Sequence, residues 1–179
     1  MGPPDLLTPR LRLRPLRRAD ADAIYAYSKD PAVAEHVLWD AHASLDDTRA
    51  YLAMVESRYL GGVALEWAIE HDGIVVGTIG YFDRREDHRR AELGFALAPW
   101  MRGQGIVAEA ARGVLAYGFG TLRLQRVVAT VRVEHAASRR VLTKLGFTEE
   151  GTLRRHLYVK RRWWDVAYYG LLADEREVS

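Results

Sequence analysis

Apolar and basic positions alternate along Arg10-Leu11-Arg12-Leu13-Arg14, the period of a half-buried strand. A short helix is expected over about 19–28, with Asp20 near its start and Pro31 closing it. Ser44 stands three residues before Asp47, the spacing of a capping box, and predicts a helix running to about Tyr59, broken by Gly61-Gly62. Two β-rich runs, 65–70 and 74–82, flank His71-Asp72-Gly73, and Asp-Gly between such runs is a hairpin signal. A polar loop around 85–88 leads to a strand over 90–97, which Pro99 closes. An amphipathic helix follows Gly105, then a strand over 126–131 and a helix over about 136–145. In that helix Val141, Leu142 and Leu145 share a face, and Gly146 supplies the stop. Segments 147–159 and 163–172 read as a closing hairpin. The order is strand, two helices, three strands, helix, strand, helix, two strands. It predicts one mixed α/β domain of about seven strands and four helices over 1–179, with a core of about 8–174.

The junction at 100–107, Trp-Met-Arg-Gly-Gln-Gly-Ile-Val, places Gly103 and Gly105 between a strand and a helix. Glycines there let the backbone approach a ligand, and the first amides of a helix have no partner within it. The helix dipole adds positive potential, so the turn suits an anion such as a pyrophosphate, with Arg102 as a fixed charge beside it. Gly105 is followed by Ile106-Val107, not the Lys-Ser/Thr of a P-loop, and the third glycine of a dinucleotide fingerprint is missing. Taken alone, the glycines fit a phosphate site or an ordinary loop-helix junction.

Composition narrows the classes. With 179 residues, 49% hydrophobic and 28% charged, the chain fits a globular domain with a full core. No apolar run approaches the ~20 residues that span a bilayer, and Met1-Gly2-Pro3-Pro4-Asp5 does not begin a secretory leader. Zero cysteines exclude disulfides, thiolate ligands and a cysteine nucleophile, and fit a cytoplasmic location. His36, His42, His71, His88 and His156 lack metal-ligand spacing with a carboxylate, so no metal is expected. Net charge is +2, with local clusters such as Arg139-Arg140 and Lys160-Arg161-Arg162. The run 154–164 interleaves basic and aromatic residues, as a nucleic-acid surface would, but such positions are more often the solvated face of strands and nucleic acid is not the expected partner.

Three stretches together resemble the GNAT superfamily of acetyl-CoA-dependent N-acetyltransferases, in the branch of the ribosomal-protein N-terminal acetyltransferases and their small-molecule relatives. They are Thr8-Pro9-Arg10-Leu11-Arg12-Leu13-Arg14-Pro15-Leu16 with Asp20-Ala21; Ala91-Glu92-Leu93-Gly94-Phe95 through Gly105 and Glu109-Ala110; and Ser138-Arg139-Arg140-Val141-Leu142-Thr143-Lys144-Leu145-Gly146-Phe147. Asp165 and the segment 168–172 fit the branch's last strand. The resemblance implies a splayed, mostly antiparallel sheet whose strands at 90–97 and 127–131 diverge around the pantetheine arm of the donor.

It also implies roles. Backbone groups of Phe95, Ala96 and Leu97 would pair with the pantetheine, and amides of Arg102, Gly103, Gln104, Gly105, Ile106 and Val107 would hold the pyrophosphate. Glu92 would accept the amine's proton directly or through water. Ser138 would donate a hydrogen bond to the leaving sulfur, and a main-chain amide near Leu97 would stabilise the oxyanion. Lys144, with Arg139 or Arg140, would meet phosphates. Val107 stands where the family's loop has Gly or Ala, and His135 where the branch has the pantetheine-binding Asn. His can replace that hydrogen bond, although a surface or capping histidine reads the same way. Trp39, Trp67, Tyr81, Tyr158 and Trp164 are candidates for acceptor-pocket walls or for sheet core, and loops around 33–43 and 83–88 for acceptor contacts. The implied activity is acetyl transfer from acetyl-CoA to a primary amine, on a protein N-terminus or a small molecule, by a homodimer with no membrane partner. A non-catalytic acyl-CoA sensor is the alternative.

Overall fold

The computed structural model describes residues 2–175. The chain forms two compact units, one of residues 2–81 with Phe95–Val114, the other of Phe82–Gly94 with residues 115–175. Among the described residues no helix is long and apolar enough to cross a membrane.

In the first unit the strands are β1 (Leu6–Leu7), β2 (Leu11–Pro15), β3 (Leu65–His71) and most of β4 (Ile74–Arg85), followed by the end of β5 (Arg90–Leu97). They pair in sequence order, β1 to β4 antiparallel, with Leu13 opposite Ile69 and Trp67 opposite Ile79. Asp72 and Gly73 both take positive φ, 50° and 78°, which makes the expected two-residue hairpin turn between β3 and β4. The helices are α1 (Ala21–Ser28), α2 (Pro31–Ala34), α3 (Leu45–Leu60) and the start of α4 (Ile106–Gly120). The capping box is present at α3: Ser44 Oγ accepts from the Asp47 amide, and Asp47 Oδ2 accepts from the Ser44 amide at 2.9 Å. The apolar core of this unit includes Leu13, Ile24, Val55, Trp67, Ile69 and Ile79. Burying each such side chain contributes about 1.5–3 kcal/mol.

Pro31 does not close a helix. The first helix ends at Ser28, and Pro31 opens α2, where its missing N–H is no loss and Asp30 caps by accepting from the Ala32 amide at 2.9 Å. Arg14, read as the outer face of β2, is buried. Its guanidinium grips Asp20 at 2.8 and 2.9 Å and donates to Glu70 at 2.6 Å. The Asp20 bond is the main reason its pKa is raised further above the ordinary arginine value.

The second unit holds the ends of β4 and the start of β5, then β6 (Arg126–Arg132), β7 (Thr148–Val159) and β8 (Arg162–Leu172), with α5 (Ala136–Lys144) and the rest of α4. β6 pairs with β8, and β7 with β8, antiparallel. β5 and β6 run parallel, but their pairs number three, from Arg90↔Arg126 to Glu92↔Val128. Among the described residues the β5–β6 ladder ends at Glu92↔Val128. α5 ends as expected: Gly146 takes φ 87°, its amide donates to Thr143, and the Phe147 amide donates to Leu142 at 3.0 Å. Among the described residues the eight strands and five helices exceed the expected count by the two-residue β1 and the four-residue α2.

Candidate active site

The anion-binding candidate lies in the first unit. Pro99–Met101 form a 3-10 turn after β5, and Gly103 and Gly105 both take left-handed backbone, φ 78° and 76°, before α4 begins at Ile106. A side chain at either position would strain that backbone. The Arg102 amide is already engaged, donating to the Pro99 carbonyl at 3.2 Å. Arg102 therefore does not supply the expected main-chain donor. Among the described residues no main-chain carbonyl accepts from the amides of Gly103, Gln104, Gly105, Ile106, Val107 or Ala108, whereas the Glu109 amide donates to Gly105. Several unpaired N–H groups at a helix start form a site for a phosphate group. Val107, at the position where the family has a small residue, is buried.

A network unseen in the sequence underpins this loop. The Glu109 carboxylate, in the first turn of α4, accepts from Thr8 Oγ1 and Arg10 Nε, both at 2.6 Å, and from the Arg10 amide at 2.8 Å. Burial pushes its pKa up, but these three donors outweigh that and hold it below the ordinary glutamate value. Arg10 Nη1 also donates to the Gln104 carbonyl at 3.1 Å. The Gln104 carbonyl and the Gly105 N–H belong to one planar peptide and point in opposite directions. Holding the carbonyl against Arg10 therefore aims the Gly105 N–H away from it. Thr8, Arg10 and Glu109 were among the residues that carried the resemblance, but their mutual contacts span about a hundred residues of chain and no local spacing encodes them.

Phe95, Ala96 and Leu97 are half-buried at the end of β5. β4 seats this end closely: a Cβ at Gly77 would lie 2.4 Å from the Ala96 carbonyl oxygen, and the Ala98 amide donates to Val76 at 2.8 Å. Trp67 and Tyr81 are core, not pocket wall. Their rings meet edge-on at 6.5 Å, and Tyr81 OH donates to the Val114 carbonyl at 3.0 Å.

Trp39 is half-exposed in the first unit, and the remaining predicted residues belong to the second. Glu92, half-buried on β5, accepts a short hydrogen bond from the Thr130 hydroxyl on β6. Ser138 is buried in the first turn of α5, its Oγ 3.5 Å from His135 Nε2. His135 occupies the N-cap position, yet its side chain does not cap the helix. The structure thus brings His135 and Ser138 together. Lys144 is exposed in the last turn of α5. Arg139 is committed elsewhere: it donates to Tyr169 OH at 3.1 Å, the Val133 carbonyl at 3.2 Å and Glu149 at 2.9 Å. Trp164 is buried, with Arg132 5.1 Å from its ring centre, while Tyr158 is exposed and meets the Trp163 ring at a tilt of 56°. Among the described residues no group of three or more His, Cys, Asp or Glu side chains is placed to hold a metal ion.

A mixed sheet flanked by helices, with a glycine turn that leaves amides unpaired at a helix start, defines an α/β protein. Comparison with known proteins makes this specific: the chain belongs to the acetyltransferase (GNAT) domain family, whose model matches residues 10–148. It is an acetyltransferase, and acetyl transfer to amines is the chemistry of its relatives. It is 32% identical over 171 residues to the uncharacterized N-acetyltransferase YoaA of Bacillus subtilis (strain 168), covering 94% of this chain and 97% of that protein. It is 24% identical to the spermidine N(1)-acetyltransferase of Escherichia coli (strain K12), covering 86% of this chain and 81% of the other. In fold it is similar to the solved structure of RimL, a ribosomal L7/L12 alpha-N-protein acetyltransferase in complex with coenzyme A. That likeness has a TM-score of 0.87 at 21% identity and covers 96% of this chain and 99% of the other.

Proposed function

We propose that this protein is a single-domain N-acetyltransferase that moves the acetyl group of acetyl-CoA to a primary amine by direct attack within a ternary complex. The observation that carries the reading is the set of unpaired amides from Gly103 to Ala108, which fits the donor's diphosphate. Phe95, Ala96 and Leu97, half-buried at the end of β5, take the place of the family's stretch that hydrogen-bonds the donor's extended polyamide arm. The donor supplies an activated thioester. Glu92 receives the proton released as the amine nitrogen bonds to the acetyl carbon, and its bond from Thr130 holds the carboxylate in place. Ser138, beside His135, donates a hydrogen bond to the sulfur as the carbon–sulfur bond breaks, and the proton lost by the amine ends on that sulfur. His135 takes the place of the branch's pantetheine-binding Asn, and Lys144 that of an exposed phosphate contact.

The names of the relatives point to two kinds of acceptor, a protein N-terminus and a polyamine. The zero-cysteine composition supports a cytoplasmic protein, and the exposed Tyr158 and Trp163 rings, in tilted contact with centres 5.0 Å apart, support a homodimer. Calorimetric titration with acetyl-CoA should show saturable binding, and free thiol should appear with at least one member of an amine panel. Binding without thiol release on any amine would mark a non-catalytic acyl-CoA sensor, and no binding would end the reading. Glu92→Gln should lower the rate at neutral pH and change the pH–rate profile. An unchanged profile would remove Glu92 from the proton-accepting role.

A further inference from the structure

Three charged side chains are buried among the described residues: Arg14, Asp20 and Glu66. The first two neutralise each other. Glu66, only 6% exposed on β3, has no ion pair among the described residues. Its Oε1 accepts from Tyr51 OH on α3, and its main-chain carbonyl accepts from Tyr59 OH. Oε2 accepts no hydrogen bond among the described residues, yet it is not sealed from open space. Directly across the ladder stands Gly80, where a Cβ would lie 2.8 Å from Glu66 Cα, so only glycine lets β4 approach the Glu66 backbone there. Desolvation pushes the Glu66 carboxyl above the ordinary glutamate pKa, partly opposed by Tyr51 and Arg58.

A row of rings runs from this carboxyl to the loop after α2. Tyr51 lies 6.3 Å from His42 between ring centres, and His42 lies 5.5 Å from Trp39, which is half-exposed. His42 Nδ1 sits 2.9 Å from Ser28 Oγ and 2.7 Å from Thr48 Oγ1. Burial lowers its pKa, so it presents a neutral ring at neutral pH. An anionic carboxylate buried without a cation is costly, and a bound cation would offset that cost. Neutral aromatic faces attract cations as well. β3 lies two ladder steps from β5, about 10 Å across the sheet. That is too far for Glu66 to take the proton of an amine reacting beside Leu97, but within reach of the far end of a substrate.

We propose that Glu66, with the rings of Tyr51, His42 and Trp39, receives a second cationic group of the acceptor. The substrates selected are then amines that carry another positive charge: α,ω-diamines, polyamines, or peptide N-termini with a nearby Lys or Arg side chain. The assignment rests on the acetyltransferase reading, and it makes Glu66 a specificity determinant, not the proton acceptor.

The test compares α,ω-diamines of about four to ten carbons with monoamines of equal length, using thiol release for turnover and calorimetry for binding. The wild type should favour the diamine about tenfold or more in kcat/KM. Glu66→Gln should raise KM for the diamine by about 10- to 100-fold. KM for the monoamine, KM for acetyl-CoA and kcat should stay unchanged. Melting temperature should not fall, because a neutral amide is easier to bury there. Trp39→Ala, on a half-exposed loop, supplies a second variant and should weaken the diamine about three- to tenfold. Equal losses on diamine and monoamine, or no diamine preference in the wild type, would overturn the site. If no amine releases thiol, the acetyltransferase reading fails by itself. Calorimetric binding of the diamine, and its loss in Glu66→Gln, still decides between a cation site and none.

Discussion

Replacing Arg10 with alanine removes a hydrogen bond to the Gln104 carbonyl and one to Glu109, while the residue-10 amide keeps its own bond to Glu109. The Arg10 side chain is 45% exposed, so the ion pair itself contributes only about 0–1 kcal/mol to folding once solvent screening is counted. The consequence falls on the loop. Without the guanidinium the Gln104–Gly105 peptide is free to turn, and refixing one residue on binding costs about 1–2 kcal/mol. Glu109 is also left less neutralised beside a site for a diphosphate. KM for acetyl-CoA should therefore rise by about 10- to 30-fold, with kcat nearly unchanged and melting temperature lowered by a few degrees at most. The decisive control is acetyl-pantetheine, a donor that has the thioester and lacks the diphosphate. Its kcat/KM should be the same in wild type and variant. Arg10→Lys should behave like alanine, because an ammonium cannot hold the carboxylate and the carbonyl in one fork. Adding Glu109→Gln to Arg10→Ala should recover part of the donor affinity. Equal losses on both donors would show a general structural defect, and an unchanged KM for acetyl-CoA would show that the clamp does not aim the loop.

Gly105→Ala should destabilise the protein by about 1–2 kcal/mol through its positive φ and weaken acetyl-CoA in titration calorimetry, with little change for acetyl-pantetheine. Asp20→Asn leaves the buried Arg14 guanidinium paired with Glu70 alone and trades two charge-assisted bonds for weaker ones, which should cost about 1–3 kcal/mol in denaturant unfolding; no measurable loss would contradict the buried pair. Because the folded pKa of Glu66 is raised, its ionised form opposes folding above that pKa, and the opposition fades as pH falls through it toward the unfolded value. Glu66→Gln should accordingly melt higher than wild type at pH 7–8 and lose that advantage in acid; a pH-independent difference would refute the assignment. Glu109 has the opposite sign: its folded pKa is depressed, so its contribution is present above about 4.5 and lost as pH falls through the folded value. The melting-temperature gap between wild type and Glu109→Gln should close in that acidic window.

Local rules carried most of the fold because its elements announce their own ends. Ser44 with Asp47, Asp72-Gly73 and Gly146 each determine a cap or a turn within a few residues, and each appears where the spacing placed it. Alternation failed where a strand is covered on both faces. In β3, Glu66 is 6% exposed and its neighbour Trp67 0%, so polarity no longer marks the outward side. Arg14 misled for the same reason, its charge being matched by Asp20 and Glu70 and not by water. The turn between β7 and β8 was placed correctly although Lys160 and Arg161, both at positive φ, are not residues that signal it. For the site, the turn at Gly103 and Gly105 was legible, since left-handed backbone at glycine is a local property. The Arg10–Glu109 clamp and the Tyr51–Glu66 pair join distant segments, and only the folded chain shows them.

The outermost strand has a bearing on how this protein behaves in a tube. β7 is twelve residues long, lies at the end of its ladder, and is exposed along most of its length. Such a ribbon invites fibril-like stacking. Two irregularities interrupt its pairing with β8, between Glu149 and Gly151 and between Leu153 and Leu157, and Arg154 and Arg155 fall in the second. Those arginines thus act as gatekeepers of colloidal behaviour. A variant with both exchanged for threonine should turn over substrate normally yet cloud on concentration, whereas one with two lysines should stay clear.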